Sequence, residues 1–270
     1  MSGNLKLRII SGVVLAAVAL LLTYLGPVSF AALVLACTVV ISWEWGRLVR
    51  GASFDVGFWV QAIAVGVAVI LAAAGYAAPA IVVLAAAAIT MVPLYMGRGA
   101  RLSALGVFYV GIPAVTLLWI RGDEPYGFLA VLLLFGIVWL SDISAYAAGR
   151  LIGGPKLWPR VSPNKTWAGL GGALAGGLLA GLIVGVLEPQ LDLVRLLALG
   201  FILALVAQAG DLAESALKRG FGLKDSSDLI PGHGGFMDRM DSLVAVAGAV
   251  ALLALAINAY APARALLFGF

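Results

Sequence analysis

The stretch from Asp211 to Asp241, DLAESALKRGFGLKDSSDLIPGHGGFMDRMD, gathers three kinds of reactive side chain. It holds six of the thirteen acidic residues, four of the seventeen basic ones and the only histidine, and its flanks are almost purely apolar. Carboxylate oxygens suit a hard divalent cation, Lys and Arg suit phosphate groups, and glycines allow close backbone approach. Together they serve phosphoryl or nucleotidyl transfer, in which catalysis is mostly charge neutralisation and alignment.

Spacing sharpens this reading. Asp211, Glu214 and Ser215 stand at i, i+3 and i+4 on one helical face that Lys218 continues, and Glu214–Lys218 is also an i, i+4 ion pair. Asp238 and Asp241 lie one turn apart where the next helix starts, and capping accounts for only one of them. Asp211, Asp238 and Asp241 are therefore the candidate ligands of a Mg²⁺ ion, which keeps waters and is completed by substrate phosphates. Between them, Lys224, Asp225, His233 and Gly234 fall in a glycine-rich loop, and Arg239 follows Asp238 at the start of the next helix. His233 has no partner His or Cys, so it reads as a hydrogen-bonding group for a phosphate or for the loop itself.

Two upstream segments belong with this stretch. In WLSDISAYAAGR, Asp142 precedes Arg150 by about two helical turns, roughly 10 Å inside the apolar layer, with Tyr146 one turn away on the same face. An intramembrane carboxylate is costly and marks a site or a structural hydrogen bond. In GGPKLWPRVSPNKTWAG, the cations Lys156, Arg160 and Lys165 accompany Ser162, Asn164 and Thr166, with a rigid turn at Ser162-Pro163. Asn164 or Thr166 can cap the helix that follows, whose free N–H groups would face an anion.

These residues need a scaffold, and composition dictates which. Of the 270 residues, 63% are hydrophobic and 11% charged, against about 25% charged in a soluble domain. The expected fold is all-α and polytopic, with apolar runs at roughly 9–25, 28–46, 57–74, 79–96, 103–120, 127–149, 167–187, 194–216 and 242–260. Each is near the ~20 residues that cross ~30 Å of hydrocarbon. About five spans form an N-terminal part, 1–125, and about four form a catalytic part, 126–270. Residues 1–26 imitate a signal peptide but lead straight into further spans and read as a retained helix.

With nine spans, all of the seventeen Lys and Arg except Arg121, Arg195 and Arg264 fall on the N-terminal side, Arg98 among them. The positive-inside rule then puts the N-terminus and the Asp211–Asp241 region in the cytoplasm. The net charge of +4 is dispersed over short loops, which excludes a nucleic-acid surface. Cys37 sits in an apolar run and reads as a packing residue. Trp43-Glu44-Trp45 with Arg47 and Arg50 reads as an interfacial aromatic belt, or else Glu44 faces the site. Gly172/Gly176 and Gly177/Gly181 are small-residue pairs for close packing against the eighth span or a second subunit.

At this point a resemblance becomes specific. Ser215-Ala-Leu-Lys218-Arg219, Lys224-Asp225 and Pro231-Gly-His233-Gly-Gly-Phe-Met-Asp238-Arg239-Met-Asp241 resemble the signature of the phosphatidate cytidylyltransferases, the CDP-diacylglycerol synthases. Ser162-Pro-Asn-Lys165-Thr166 and Asp142-Ile-Ser-Ala-Tyr146 resemble further segments of that family, so the similarity spans about residues 135–245. Ala168 departs from it, standing where many members carry Glu.

The resemblance implies CTP and phosphatidic acid as substrates, CDP-diacylglycerol and pyrophosphate as products, and a role in phospholipid biosynthesis at the inner membrane. It also implies Mg²⁺, K⁺ as a second cation, and a homodimer in the lipid bilayer. Carried onto this chain, Asp211, Asp238 and Asp241 are the metal ligands, with Lys218 and Arg219 beside them in catalysis. Ser162, Lys165, Thr166, Asp142, Tyr146, Glu214, Ser215, Lys224, Asp225, His233, Gly234 and Arg239 hold the substrates. Two other functions fit the bare residues: a CTP-dependent kinase of a membrane isoprenoid alcohol, with Asp225 or His233 as base, and an anion transporter. The transporter reading calls for a second set of polar breaks, and the first five runs carry no counterpart of Asp211–Asp241.

Overall fold

Apolar composition shows directly in the helices. A computed structural model describes residues 3–96, 99–230 and 234–270, with side chains from Ile10 onward. Arg98 and His233, both given roles above, lie outside the described residues. Among the described residues ten helices follow one another: α1 (Gly3–Tyr24), α2 (Pro27–Arg50), α3 (Val56–Ala73), α4 (Ala77–Leu94), α5 (Ala100–Arg121), α6 (Gly127–Leu151), α7 (Trp167–Leu187), α8 (Leu193–Gly220), α9 (Met237–Ile257) and α10 (Pro262–Leu267). Eight of them, α2 to α9, are long and apolar enough to cross a membrane, and the described apolar part of α1, Ile10–Tyr24, is shorter. The chain is an all-α integral membrane protein.

One feature departs from the expected pattern. The segment read as a loop with a rigid turn is a short antiparallel ribbon, β1 (Lys156–Trp158) and β2 (Ser162–Thr166), pairing Lys156 with Thr166 and Trp158 with Ser162. Pro159 and Pro163 bar a helix there, while Trp158, Val161 and Thr166 favour extended backbone. The polar helix ends run past the apolar runs, as the spacing of Asp211–Lys218 and of Asp238 and Asp241 leads one to expect. α8 continues to Gly220 and α9 starts at Met237, so Asp211–Arg219 and Asp238–Asp241 are all helical.

Two units make up the chain: Met1–Gly122 with Phe221–Met240, and Asp123–Gly220 with Asp241–Phe270. In the first, α2, α3, α4 and α5 pack on one another through Phe30, Val65, Leu84, Met91 and Val107, all essentially inaccessible. Trp45 is buried here rather than standing in an interfacial belt. Its indole N–H donates to the Leu102 carbonyl at 3.0 Å, and a Cβ on Gly106 would lie 2.1 Å from that nitrogen. Glu44 is fully buried too, which overturns the belt reading for both. Trp43 is half-buried, with the Arg47 guanidinium 5.0 Å from its ring centre.

In the second unit α7 packs between α6 and α8, and its glycines explain how. A Cβ on Gly172 or Gly176 would come within 2.5 Å of the Ser144 carbonyl or 2.3 Å of the Leu140 carbonyl of α6. On Gly177 or Gly181 it would reach the Gly200 or Leu196 carbonyl of α8 at 2.3 Å. The small-residue pairs are thus used inside this unit, against two neighbours at once. At the other end of α6, Asp123 accepts from Ala263 N at 2.9 Å and pairs with Arg264 at 2.9 Å, fixing α10.

Between α2 and α3, Asp55 caps α3 by accepting from Phe58 N at 2.8 Å and pairs with Arg50 at 2.8 Å. It also accepts from the Tyr95 hydroxyl, which in turn accepts from Gly57 N at 2.9 Å. Burial alone would raise the Asp55 carboxyl, but the bonds from Arg50, Tyr95 and Phe58 outweigh it and hold its pKa below the ordinary value. Its contribution to stability is therefore complete above the unfolded-state value of about 3.9 and disappears as pH falls through the lower folded value. Asp55→Asn keeps the cap but removes the charge facing Arg50, and is expected to lower the melting temperature of the detergent-solubilised protein at pH 7, at a cost of about 0.5–1 kcal/mol. Melts taken down to pH 3 should show the gap between variant and wild type narrowing.

Candidate active site

The polar end of α8 is built around a carboxylate that needs a partner. Asp211 Oδ2 meets Lys165 Nζ, from β2, at 2.7 Å, while Ser215 Oγ donates to Asp211 Oδ1 at 3.4 Å. Lys165 also donates to Gln208 Oε1 at 3.3 Å, and Gln208 Nε2 donates to Asp142 Oδ1 of α6 at 3.4 Å. One chain of contacts thus joins Asp142, Gln208, Lys165, Asp211 and Ser215. Thr166, next to Lys165, caps α7 by accepting from Gly169 N at 3.0 Å, so the residue that starts the helix also sets the lysine's position. Of the two expected caps, Thr166 is the one used.

One turn further along α8, Glu214 and Lys218 form the expected ion pair at 3.1 Å, and both are buried. Arg219 Nε donates to the Val161 carbonyl at 3.3 Å, tying the end of α8 to the ribbon. On α9, the Asp241 carboxylate lies within electrostatic reach of Asp211, Glu214 and Asp142 and accepts from Ser242 N at 2.7 Å. The two helices touch there, since a Cβ on Gly210 would lie 3.1 Å from the Asp241 carbonyl. Ser162 is half-buried in the ribbon. Tyr146 is exposed and its hydroxyl accepts from Arg150 at 2.7 Å, one turn from Asp142.

Four carboxylates (Asp142, Asp211, Glu214, Asp241) accompany two ammonium groups (Lys165, Lys218) in this cluster. The surplus of negative oxygen donors suits a hard cation. Among the described residues no three acidic, His or Cys side chains already close on one point. Mg²⁺ does not require that, because one or two carboxylates with waters and substrate phosphates complete its shell.

In the other unit, the signature loop is gripped by two carboxylates. Asp238 accepts from Ser226 N at 3.1 Å and from Gly235 N at 3.0 Å. Glu44, from α2, accepts from the Ser227 hydroxyl, from Phe236 N at 2.8 Å and from Met237 N. Ile230 and Gly234 exchange backbone bonds of 2.9 and 3.2 Å. Gly234 needs its glycine, with φ at +85°. Beside the loop a cleft of about 320 Å³ is lined by Arg47, Lys224, Asp225, Ser226, Ser227 and Asp228. Lys224, Asp225 and Arg239 are exposed.

The structure therefore brings Asp142, Lys165, Asp211, Glu214, Ser215, Lys218 and Asp241 together in one unit, and Lys224, Asp225, Gly234 and Asp238 in the other. His233 lies outside the described residues. One contributor escaped the sequence reading. Gln208 stands three residues before Asp211 on the same helical face, which was a usable signal. Of the two placements open to Glu44 in the sequence, the structure takes the one against the signature loop.

Gly235 gives the sharpest packing test. An added Cβ would lie 1.8 Å from Ser226 Oγ, 2.8 Å from Glu44 Oε1 and 2.9 Å from Ser227 N. Gly235→Ala should loosen the loop at a cost of about 1–3 kcal/mol and speed its limited proteolysis. Gly171→Ala, with nothing within 4 Å of its Cβ in α7, should not speed cleavage and should leave melting the same or slightly higher.

Known proteins point the same way as the residues. A family model described as "Cytidylyltransferase family" matches residues 6–257. A protein of Brucella abortus biovar 1 (strain 9-941) named phosphatidate cytidylyltransferase is 43% identical over 249 residues, 90% of this chain and 91% of that one. One of the same name from Brucella suis biovar 1 (strain 1330) matches equally, at 43% over 249 residues. A third, from Staphylococcus haemolyticus (strain JCSC1435), is 42% identical over 143 residues, 53% of this chain and 54% of its own.

Proposed function

The chain belongs to the cytidylyltransferase family, and from that premise we propose that it transfers the cytidylyl group of CTP to phosphatidic acid. The products are CDP-diacylglycerol and pyrophosphate, and the protein is a nucleotidyltransferase of phospholipid biosynthesis. The observation that carries this reading is the Lys165–Asp211 pair in its surround of Gln208, Asp142 and Asp241, oxygen donors and a phosphate-binding cation set side by side. The kinase and transporter readings gain no support from the relatives' names.

The nucleophile is the phosphate of the lipid. Its second pKa is near 6 in a phosphate monoester, so it is largely dianionic at pH 7 and needs no general base. One of its oxygens attacks the α-phosphorus of CTP, the bond from that phosphorus to the bridging oxygen breaks, and pyrophosphate departs. The chain's work is alignment and charge neutralisation. Lys165, released in part from Asp211, binds a phosphate oxygen, as do Lys218, Arg219, Lys224 and Arg239. Ser162, Ser215 and the capped start of α7 add neutral donors.

Asp211 and Asp241 would hold Mg²⁺, with Asp238 assigned as a third ligand from the family signature alone. When bound, Mg²⁺ would offset the triphosphate charge that builds on the leaving group. K⁺ as a second cation, His233 on a phosphate and assembly as a homodimer are proposed from the resemblance. An inner-membrane location is proposed from the resemblance, and an orientation with the N-terminus and the site in the cytoplasm is supported by the one-sided distribution of Lys and Arg.

Purified protein should release pyrophosphate only when CTP, phosphatidic acid and Mg²⁺ are all present, and EDTA should stop it. Asp211→Asn should lower kcat about a hundredfold or more while the protein still folds, since it removes both a metal ligand and the charge opposite Lys165. Release without lipid, or a fully active Asp211→Asn enzyme, would contradict the proposal.

A further inference from the structure

We infer that Glu44 is a positioning residue of the active site, a carboxylate on α2 that caps α9 from outside and sets the register of Asp238 and Arg239. The inference rests on the proposed reaction for its catalytic consequence, but its structural basis is independent of it.

Glu44 lies near the end of α2 and is fully buried. A carboxylate in such a place is a liability unless donors surround it. Both of its oxygens are used: Oε1 accepts from the Ser227 hydroxyl and from Phe236 N, and Oε2 accepts from Met237 N. These partners are 183 to 193 residues away in sequence. Phe236 and Met237 stand at the start of α9, where the first N–H groups have no acceptor within their own helix and the dipole favours negative charge. Glu44 supplies that acceptor and that charge from another helix.

The grip is shared with Asp238, which follows Met237 directly. Glu44 holds Ser227, Phe236 and Met237, while Asp238 holds Ser226 and Gly235. The two carboxylates thus fasten the same two pieces of loop from opposite ends. If Asp238 turns one oxygen to another partner during turnover, Glu44 is what keeps the loop and the first turn of α9 in place. The three donors also explain why the residue is Glu. An amide at this position would direct an NH₂ group at a backbone N–H whichever way it was turned.

Glu44→Gln and Ser227→Ala test the inference in the full-length, detergent-solubilised protein. Hydrogen exchange of the peptides covering 234–240 and steady-state pyrophosphate release are the readouts. Glu44→Gln should speed exchange of the Phe236 and Met237 amides. Per folded molecule it should lower kcat by about 10- to 100-fold with KM for CTP and lipid nearly unchanged, as a misplaced catalytic group would. Ser227→Ala, which spares both backbone bonds, should show the same pattern more weakly.

Unchanged exchange in 234–240, or an unchanged kcat per folded molecule, would overturn the positioning role. A fall in folded yield with normal kcat would overturn it equally, since that is what a purely structural residue gives. Should Glu44→Gln fail to fold, Ser227→Ala decides by the same two readouts. If the wild-type protein releases no pyrophosphate, the proposed reaction falls, while the exchange comparison still decides whether Glu44 caps α9.

Discussion

Charge inside an apolar helix must be met at the place where it sits. A lone carboxylate at the centre of a membrane helix costs about 2.5–3.5 kcal/mol even on the lenient insertion scale. Removing the partner of a buried pair costs more, because the remaining charge is stranded. Glu44, Asp211 and Glu214 are all set in such helices, and each is answered differently: by a hydroxyl and backbone N–H groups, by Lys165 with Ser215, and by Lys218 one turn on.

Close backbone approach is what lets the partners arrive. In the second unit Gly172, Gly176, Gly177 and Gly181 bring α7 against α6 and α8 with no room for a Cβ on any of them. The ribbon then enters α7 through its Thr166 cap, so Lys165 is delivered to Asp211 and Gln208 by the same backbone geometry that starts the helix. In the first unit Gly235 has the corresponding role, passing close to Ser226 and Glu44. Packing by small residues and polar chemistry are therefore coupled, and a methyl group in either place would be felt as a displaced functional group.

Much of this was legible in the sequence where the cause is local. Composition requires spanning helices, and all nine apolar runs fall on helices. Thr166 as a cap, the Glu214–Lys218 pair and the packing use of the α7 glycines follow from spacing of three or four residues. What was left open or missed depends on contacts distant in sequence. Nothing near Glu44 announces partners about 190 residues away, and Trp43-Glu44-Trp45 imitates an interfacial belt because a buried tryptophan and a belt tryptophan look alike in sequence. The ribbon was missed because its two strands have only three and five residues, too short for an alternating pattern to register.

The measurement that tests the central claim most directly follows each phosphorus atom of CTP. Purified protein in phosphatidic acid-containing vesicles is given CTP labelled at either the α- or the γ-phosphorus, and the lipid fraction is counted. Cytidylyl transfer predicts α-label in the lipid and γ-label in released pyrophosphate. γ-Label in the lipid, with CDP left in solution, would contradict the account and make the protein a kinase.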